Sequence, residues 1–175
     1  TPSVYERQPI INALGNVLNE AGMDADAKRL LIAELDKSAQ PYYYMPTLAD
    51  IEQRAGNFDT ALAWLKEAYE QTRGPATRFQ WGYYYLAGLI EMTPADIERI
   101  HTTTVSLITG LQQANAFHQR PKAQLGRLRN DLQAWGEAEG NGVALEAIRQ
   151  SVLEVCSKLP DEPSRDICES FLAAG

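Results

Sequence analysis

A repeat of 34 residues runs through the first half of the chain and limits the folds open to it more than any other feature. Leu14 recurs as Leu48, Gly22 as Gly56, Ala27 as Ala61, Leu31 as Leu65 and Pro41 as Pro75, and the small Gly15 is matched by the small Ala49. A period of this length means that one supersecondary unit, too small to bury its own apolar face, is stacked on its neighbour. Each unit reads as helix, turn, helix. In the second, a helix from about Tyr42 to Arg54 is predicted to stop at Ala55-Gly56-Asn57, where Gly takes the left-handed conformation that a β-carbon penalises, and a second helix starts near Phe58 and Asp59. Ala27 and Ala61 fall where paired helices approach closely, and Leu31 and Leu65 fill the space one turn on. Pro41 and Pro75 close one pair and open the next.

Past residue 75 the register fails. Gly82 and Ile90 stand where Leu and Gly belong and only Ala95 keeps step, so a longer helix pair is expected there. Thr93-Pro94-Ala95-Asp96 reads as a helix start, with Thr as cap, Pro at the first position and Asp completing a capping box. Apolar spacing of three and four predicts a helix from about Pro94 to Gln113, carrying Ile97, Ile100, Thr104, Leu107, Ile108 and Leu111. Another runs from about Pro121 to Ala138 on Leu125, Leu128, Leu132 and Trp135. A third follows Gly140-Asn141-Gly142, from Val143 to Leu159 on Leu145, Ile148, Val152, Leu153 and Val155, and a short last one runs from about Pro163 to Leu172. No segment alternates with period two. The expected fold is therefore all-α, with about nine helices stacked as antiparallel pairs into an α-solenoid. It forms one domain, 1–175, in which repeats 8–41 and 42–75 precede a degenerate third repeat at 76–114 and a C-terminal helical cap at 115–175.

With 45% apolar and 22% charged residues the composition is that of a folded globular domain. A net charge of -7 repels phosphate backbones and no Lys/Arg cluster overrides it, so nucleic acid is not an expected partner. Apolar runs are broken by Asn, Glu, Gln or Arg well before the ~20 residues a bilayer requires, so no membrane span is expected. The start at Thr1-Pro2-Ser3, without Met or a charged-then-apolar leader, reads as a processed chain or an excised domain.

Cys156 and Cys168 have the wrong spacing for a vicinal redox pair or a zinc knuckle. They fall near the facing ends of two helices joined by Pro160-Asp161-Glu162-Pro163, so antiparallel packing brings them within disulfide range. A bridge would imply an oxidising compartment; the other reading is two reduced core thiols. His101 and His118 have no partner at ligand spacing, and Asp96 and Glu98 are first-turn acids that suit the helix dipole. Gly-x-Ser-x-Gly, Gly-x-Gly-x-x-Gly and Gly-Lys-Thr are all missing, so no cofactor is expected and no residue argues for an enzyme. Eleven of the fifteen aromatic side chains lie between Tyr42 and Tyr85. Because Tyr42-Tyr43-Tyr44 and Tyr83-Tyr84-Tyr85 cannot each face one core, some must line a surface or a groove, where Tyr and Trp anchor interfaces.

Leu48-Ala49, Gly56-Asn57-Phe58, Ala61, Leu65, Ala68 and Pro75 resemble the signature of tetratricopeptide repeats, best over 42–75 and less closely over 8–41. The resemblance implies a module that binds a protein or peptide along an inner groove. Carried across position by position, that groove falls on Asn12, Asn16, Asn19 and Glu20, then Tyr43, Asp50, Gln53 and Arg54, then Gln80 and Tyr84. Asn12, Asn16 and Asn19 form a stripe of amides able to donate and accept to an extended peptide, or else an ordinary solvated face. The lysines with which some members grip a peptide carboxylate are absent. A wider resemblance rests on Gly74-Pro75-Ala76-Thr77-Arg78-Phe79-Gln80-Trp81-Gly82, Leu132-Gln133-Ala134-Trp135 and Val155-Cys156-Ser157-Lys158-Leu159-Pro160 with Cys168. It is to the helical C-terminal region of bacterial exported proteins that begin with a thioredoxin-like domain, and implies a periplasmic or otherwise exported location with that domain attached. The rival expectation is a structural or oligomerisation domain in which the tyrosines are buried.

Overall fold

The computed structural model describes residues 4–113, 121–138 and 140–170. These residues form nine α-helices and one 3-10 turn, with no strand among them. His118 lies outside the described residues, as does Leu172, the expected end of the last helix. The chain divides into two compact units, Thr1–Thr72 and Arg73–Gly175.

The first unit holds α1 (Val4–Glu20), α2 (Asp24–Leu35), a 3-10 turn (Pro41–Tyr43), α3 (Met45–Arg54) and α4 (Phe58–Gln71). Its two hairpins turn in the same way. Gly22 and Gly56 have φ of 73° and 77°. Around each glycine the same bonds recur 34 residues apart: Gly22 N–H to Asn19 O and Gly56 N–H to Gln53 O, both 3.0 Å, and Met23 N–H to Leu18 O and Asn57 N–H to Glu52 O, both 2.9 Å. This is the paired closure of a helix end that a left-handed residue permits. The sequence period therefore marks a true repeat of local geometry. Ala27, Ala61 and Leu31 are fully buried, and Gly15 lies so close to α2 that a β-carbon on it would sit 2.6 Å from Leu31 Cδ2. Ile11, Leu31, Tyr44 and Leu48 form the core, with Leu30, Leu35 and Trp64 packed against it.

One boundary differs from expectation. The helix predicted from Tyr42 begins only at Met45, after the separate 3-10 turn. Pro46 explains this, since a proline in a helix interior has no N–H to give and its ring strikes the carbonyl four residues back, here Tyr42. At the second position of α3 the same proline is tolerated.

The second unit holds α5 (Pro75–Met92), α6 (Ile97–Gln113), α7 (Pro121–Ala138), α8 (Gly142–Cys156) and α9 (Glu162–Ser170). Here α5 packs on α6 and α7, α8 packs on α6 and α7, and α9 lies on α8. Phe79, Leu86, Leu89, Ile100, Ile108, Leu128, Leu132 and Ile148 are among its buried side chains. A β-carbon on Gly136 would meet Leu145 Cδ2 at 2.6 Å, so α7 and α8 approach closely there. The Thr93 cap is not made. Its hydroxyl and N–H both bond Leu89 O, at 3.2 and 2.9 Å, and so close α5. Asp96 caps α6 instead, accepting the Arg99 N–H at 3.1 Å. Ile97 and Leu153, expected in the core, are exposed.

Candidate functional site

The amides of the first helix meet partners within the fold. Asn16 Oδ1 accepts from Thr47 Oγ1 at 2.6 Å, and Asn19 Nδ2 donates to Asp50 Oδ2 at 2.9 Å. Arg54 donates to Asp50 Oδ2 at 3.0 Å, to Asp24 Oδ1 at 2.6 Å and to Asn19 Oδ1. Asp24 is the chief reason the Arg54 guanidinium is raised above its ordinary pKa, with Asp50 adding to it. The result is a polar seam that ties the C-terminal half of α1 to α3. Four of the residues expected in a groove, Asn16, Asn19, Asp50 and Arg54, are brought together by it, and Asp50 and Arg54 remain exposed. Asn16 and Asn19 thus bond to neighbours within the unit. They are held in fixed poses by neighbours.

Asn12, on the same face, differs. Its Oδ1 is shut off from water and has no hydrogen-bond partner. Tyr43 is 39% exposed and stacks on Tyr42 with ring centroids 4.8 Å apart, whereas Tyr44 is buried in the core. Gln53 is partly exposed and Glu20 exposed. Gln80 and Tyr84 lie on α5 in the second unit, where Gln80 Nε2 donates to Tyr84 Oη at 3.5 Å. Tyr84 is exposed and Tyr85 buried, so each tyrosine triplet divides between core and surface.

Two buried carboxylates escaped the sequence reading. Glu34 on α2 receives Arg7 Nε at 2.7 Å and Nη2 at 2.8 Å, with Lys37 Nζ at 3.0 Å. The Arg7 hydrogen bond, supported by Lys37 and opposed by burial, holds its pKa down to about 2. Glu52 on α3 receives Lys28 and, at 2.8 Å, Asn57 Nδ2, and the Lys28 bond lowers its pKa most. A signal existed. Glu34 follows Leu31 by three and Ala27 by seven, which places it on the buried stripe of α2.

No family model, curated protein or solved structure matches the chain. What it does must be argued from its own side chains.

In the second unit, α5 and α7 border a cleft of about 440 Å³ lined by Ala87, Ile90, Glu91, Pro94, Asp131, Ala134, Trp135 and Ala138. Trp135 Nε1 donates to Pro94 O at 2.9 Å, and Tyr83 Oη to Asp131 Oδ2 at 2.9 Å. Burial first, then Asp131, pushes Tyr83 up to about 12, so it stays a donor. His101 Nε2 meets Ser151 Oγ at 2.9 Å, joining α6 to α8. Among the described residues no group of three or more His, Cys, Asp or Glu is placed to hold a metal ion. No helix among them is long and apolar enough to cross a membrane.

Cys156 and Cys168 are bonded, with Cα atoms 5.5 Å apart and both side chains fully buried. The bridge links the last turn of α8 to α9. Asp161 accepts the Ser164 N–H at 2.9 Å and Arg165 Nη1 donates to Leu159 O at 3.2 Å, which fixes the turn between them.

Proposed function

We propose that the chain is a tetratricopeptide-like binding module without catalytic activity of its own, and that it takes an extended segment of another protein along the α1–α3 seam. The exposed Asp50–Arg54 pair carries this reading. Both side chains stay open to solvent while their neighbours hold them in place, so each keeps hydrogen-bonding capacity for a peptide backbone. Fixing Asn16, Asn19, Asp50 and Arg54 in advance lowers the entropy lost on binding, and the exposed Tyr43 offers a broad apolar surface with a polar tip. Gln80 and Tyr84 supply a second patch of the same character on α5.

The test is selection of randomised extended peptides displayed on phage against the intact protein. Selected peptides are expected to lose binding to Tyr43→Ala and Asp50→Ala variants. Peptides that bind these variants as well as the parent would sink the reading.

We further propose an exported, oxidising location and attachment to a thioredoxin-like domain. The buried Cys156–Cys168 bond supports the location, since such bonds persist where thiols are not kept reduced. Denaturing alkylation of protein taken without reductant from its native compartment is expected to add no label; two labels would place it in a reducing one.

A further inference from the structure

Between α7 and α8 the chain runs Gly140-Asn141-Gly142, and of its seven asparagines only Asn141 is followed by glycine. Asparagine is thermolabile because the next main-chain nitrogen can attack its side-chain amide carbon, and a following glycine has no β-carbon to obstruct that approach. The local structure leaves the attack open. Gly142 is exposed and is the first residue of α8, so its N–H is one of the donors that a helix start leaves without an intrahelical acceptor. Asn141 makes no side-chain capping bond, and its Nδ2 is shut off from water without a hydrogen-bond partner. A buried donor in that state is costly, so the amide gains hydrogen bonds by turning out of its pose. With ψ at 18°, Asn141 must rotate to bring Gly142 N onto its Cγ. Gly140, with φ of 68°, and Gly142 flank it with the residues whose backbones turn most freely. The bond that opens, Leu145 N–H to Asn141 O at 2.8 Å, lies at the fraying end of the helix.

We propose that Asn141 is a site of spontaneous deamidation, through a cyclic imide closed by the main-chain nitrogen of Gly142. That nitrogen gives its proton to solvent and bonds to Asn141 Cγ. The Cγ–Nδ2 bond breaks, and the side-chain nitrogen takes a proton from solvent and leaves as ammonia. One water then opens the imide and is the only co-reactant consumed. Opening at Cγ gives aspartate; opening at the main-chain carbonyl carbon gives an isoaspartyl link, in which the backbone runs through Cβ and Cγ. Either product adds one negative charge to the chain. Aspartate puts a carboxylate at the N-cap of α8, where an anion suits the helix dipole. The isoaspartyl link lengthens the backbone one turn before Leu145, the residue that α7 approaches closely at Gly136, and so loosens the α7–α8 contact.

The test is to hold the full chain warm in neutral buffer and follow it by tryptic peptide mapping. Cleavage after Arg129 and Arg149 releases the 130–149 peptide, which is expected to become an acid at residue 141 and to keep the amide of Asn130. It should appear as two products separable by chromatography, with the isoaspartyl one identified by electron-transfer fragmentation. A β-carbon at Gly142 would meet no atom within 4 Å outside the adjacent backbone, so Gly142→Ala should keep the helical circular dichroism. By crowding the attacking nitrogen it should slow the conversion about tenfold. A native chain in which residue 141 stays an amide overturns the proposal, and conversion of the urea-unfolded chain alongside would show that the fold is what shuts the site. Conversion that Gly142→Ala leaves at the parent rate overturns it too, because the imide route is then not in use.

Discussion

Glu34 shows how one residue ties two helices together and makes their packing pH-dependent. Its carboxylate is buried, so its charge persists only because Arg7 from α1 and Lys37 from the turn after α2 surround it. Removing one partner of such a group leaves desolvated polarity behind, which costs more than the pair itself contributes. Glu34→Gln, which keeps the shape and loses the charge, is expected to lower unfolding free energy by about 1–3 kcal/mol at neutral pH, read from urea denaturation. The sign of the pH effect follows from the direction of the shift. Because the folded carboxyl is depressed from 4.5 to about 2, its stabilisation is fully present above pH 4.5 and is lost as pH falls toward 2. Glu52, also depressed, acts in the same direction. The Glu34→Gln variant should therefore converge on the parent in acid, and an unchanged gap between them at low pH would contradict the account.

Among the elements, the α8–α9 hairpin depends most on a single bond. Helix α9 has nine residues, short of what an isolated helix needs to persist in water, and the elements show it packed on α8. Closing a loop across a sequence separation of 12 is worth about 3 kcal/mol on the chain-entropy model. Cys168→Ser is expected to lower stability by about that amount and to speed amide exchange in α9 before α5–α7. Uniform exchange across the second unit would mean that the bridge stabilises the whole unit and not the hairpin. The first unit relies on repeated turn chemistry instead, with Gly22 and Gly56 serving the same bonds in two hairpins.

For the molecule as a whole, the sequence disclosed helices and turns far better than side-chain partnerships. Periods of three and four, the Gly-centred turns and the cysteine spacing are local patterns, and the helices and the bridge follow them closely. Where Pro46 intervenes, or where Asp96 and not Thr93 takes the cap, the competing local signal lies within a few residues of the expected one. The partners of the amide stripe needed more than periodicity: whether Asn16 and Asn19 meet solvent, a ligand or α3 depends on residues some thirty positions away, such as Thr47 and Asp50. Ile97 and Leu153 satisfied the apolar spacing yet sit at the margin of their buried faces. The cystine also changes what it means to cut this polypeptide. Exposed Lys158 lies inside the ring that the two sulfurs close. A protease that nicks the backbone after it separates nothing, because the fragments remain tethered through sulfur, and only a reductant would let them drift apart.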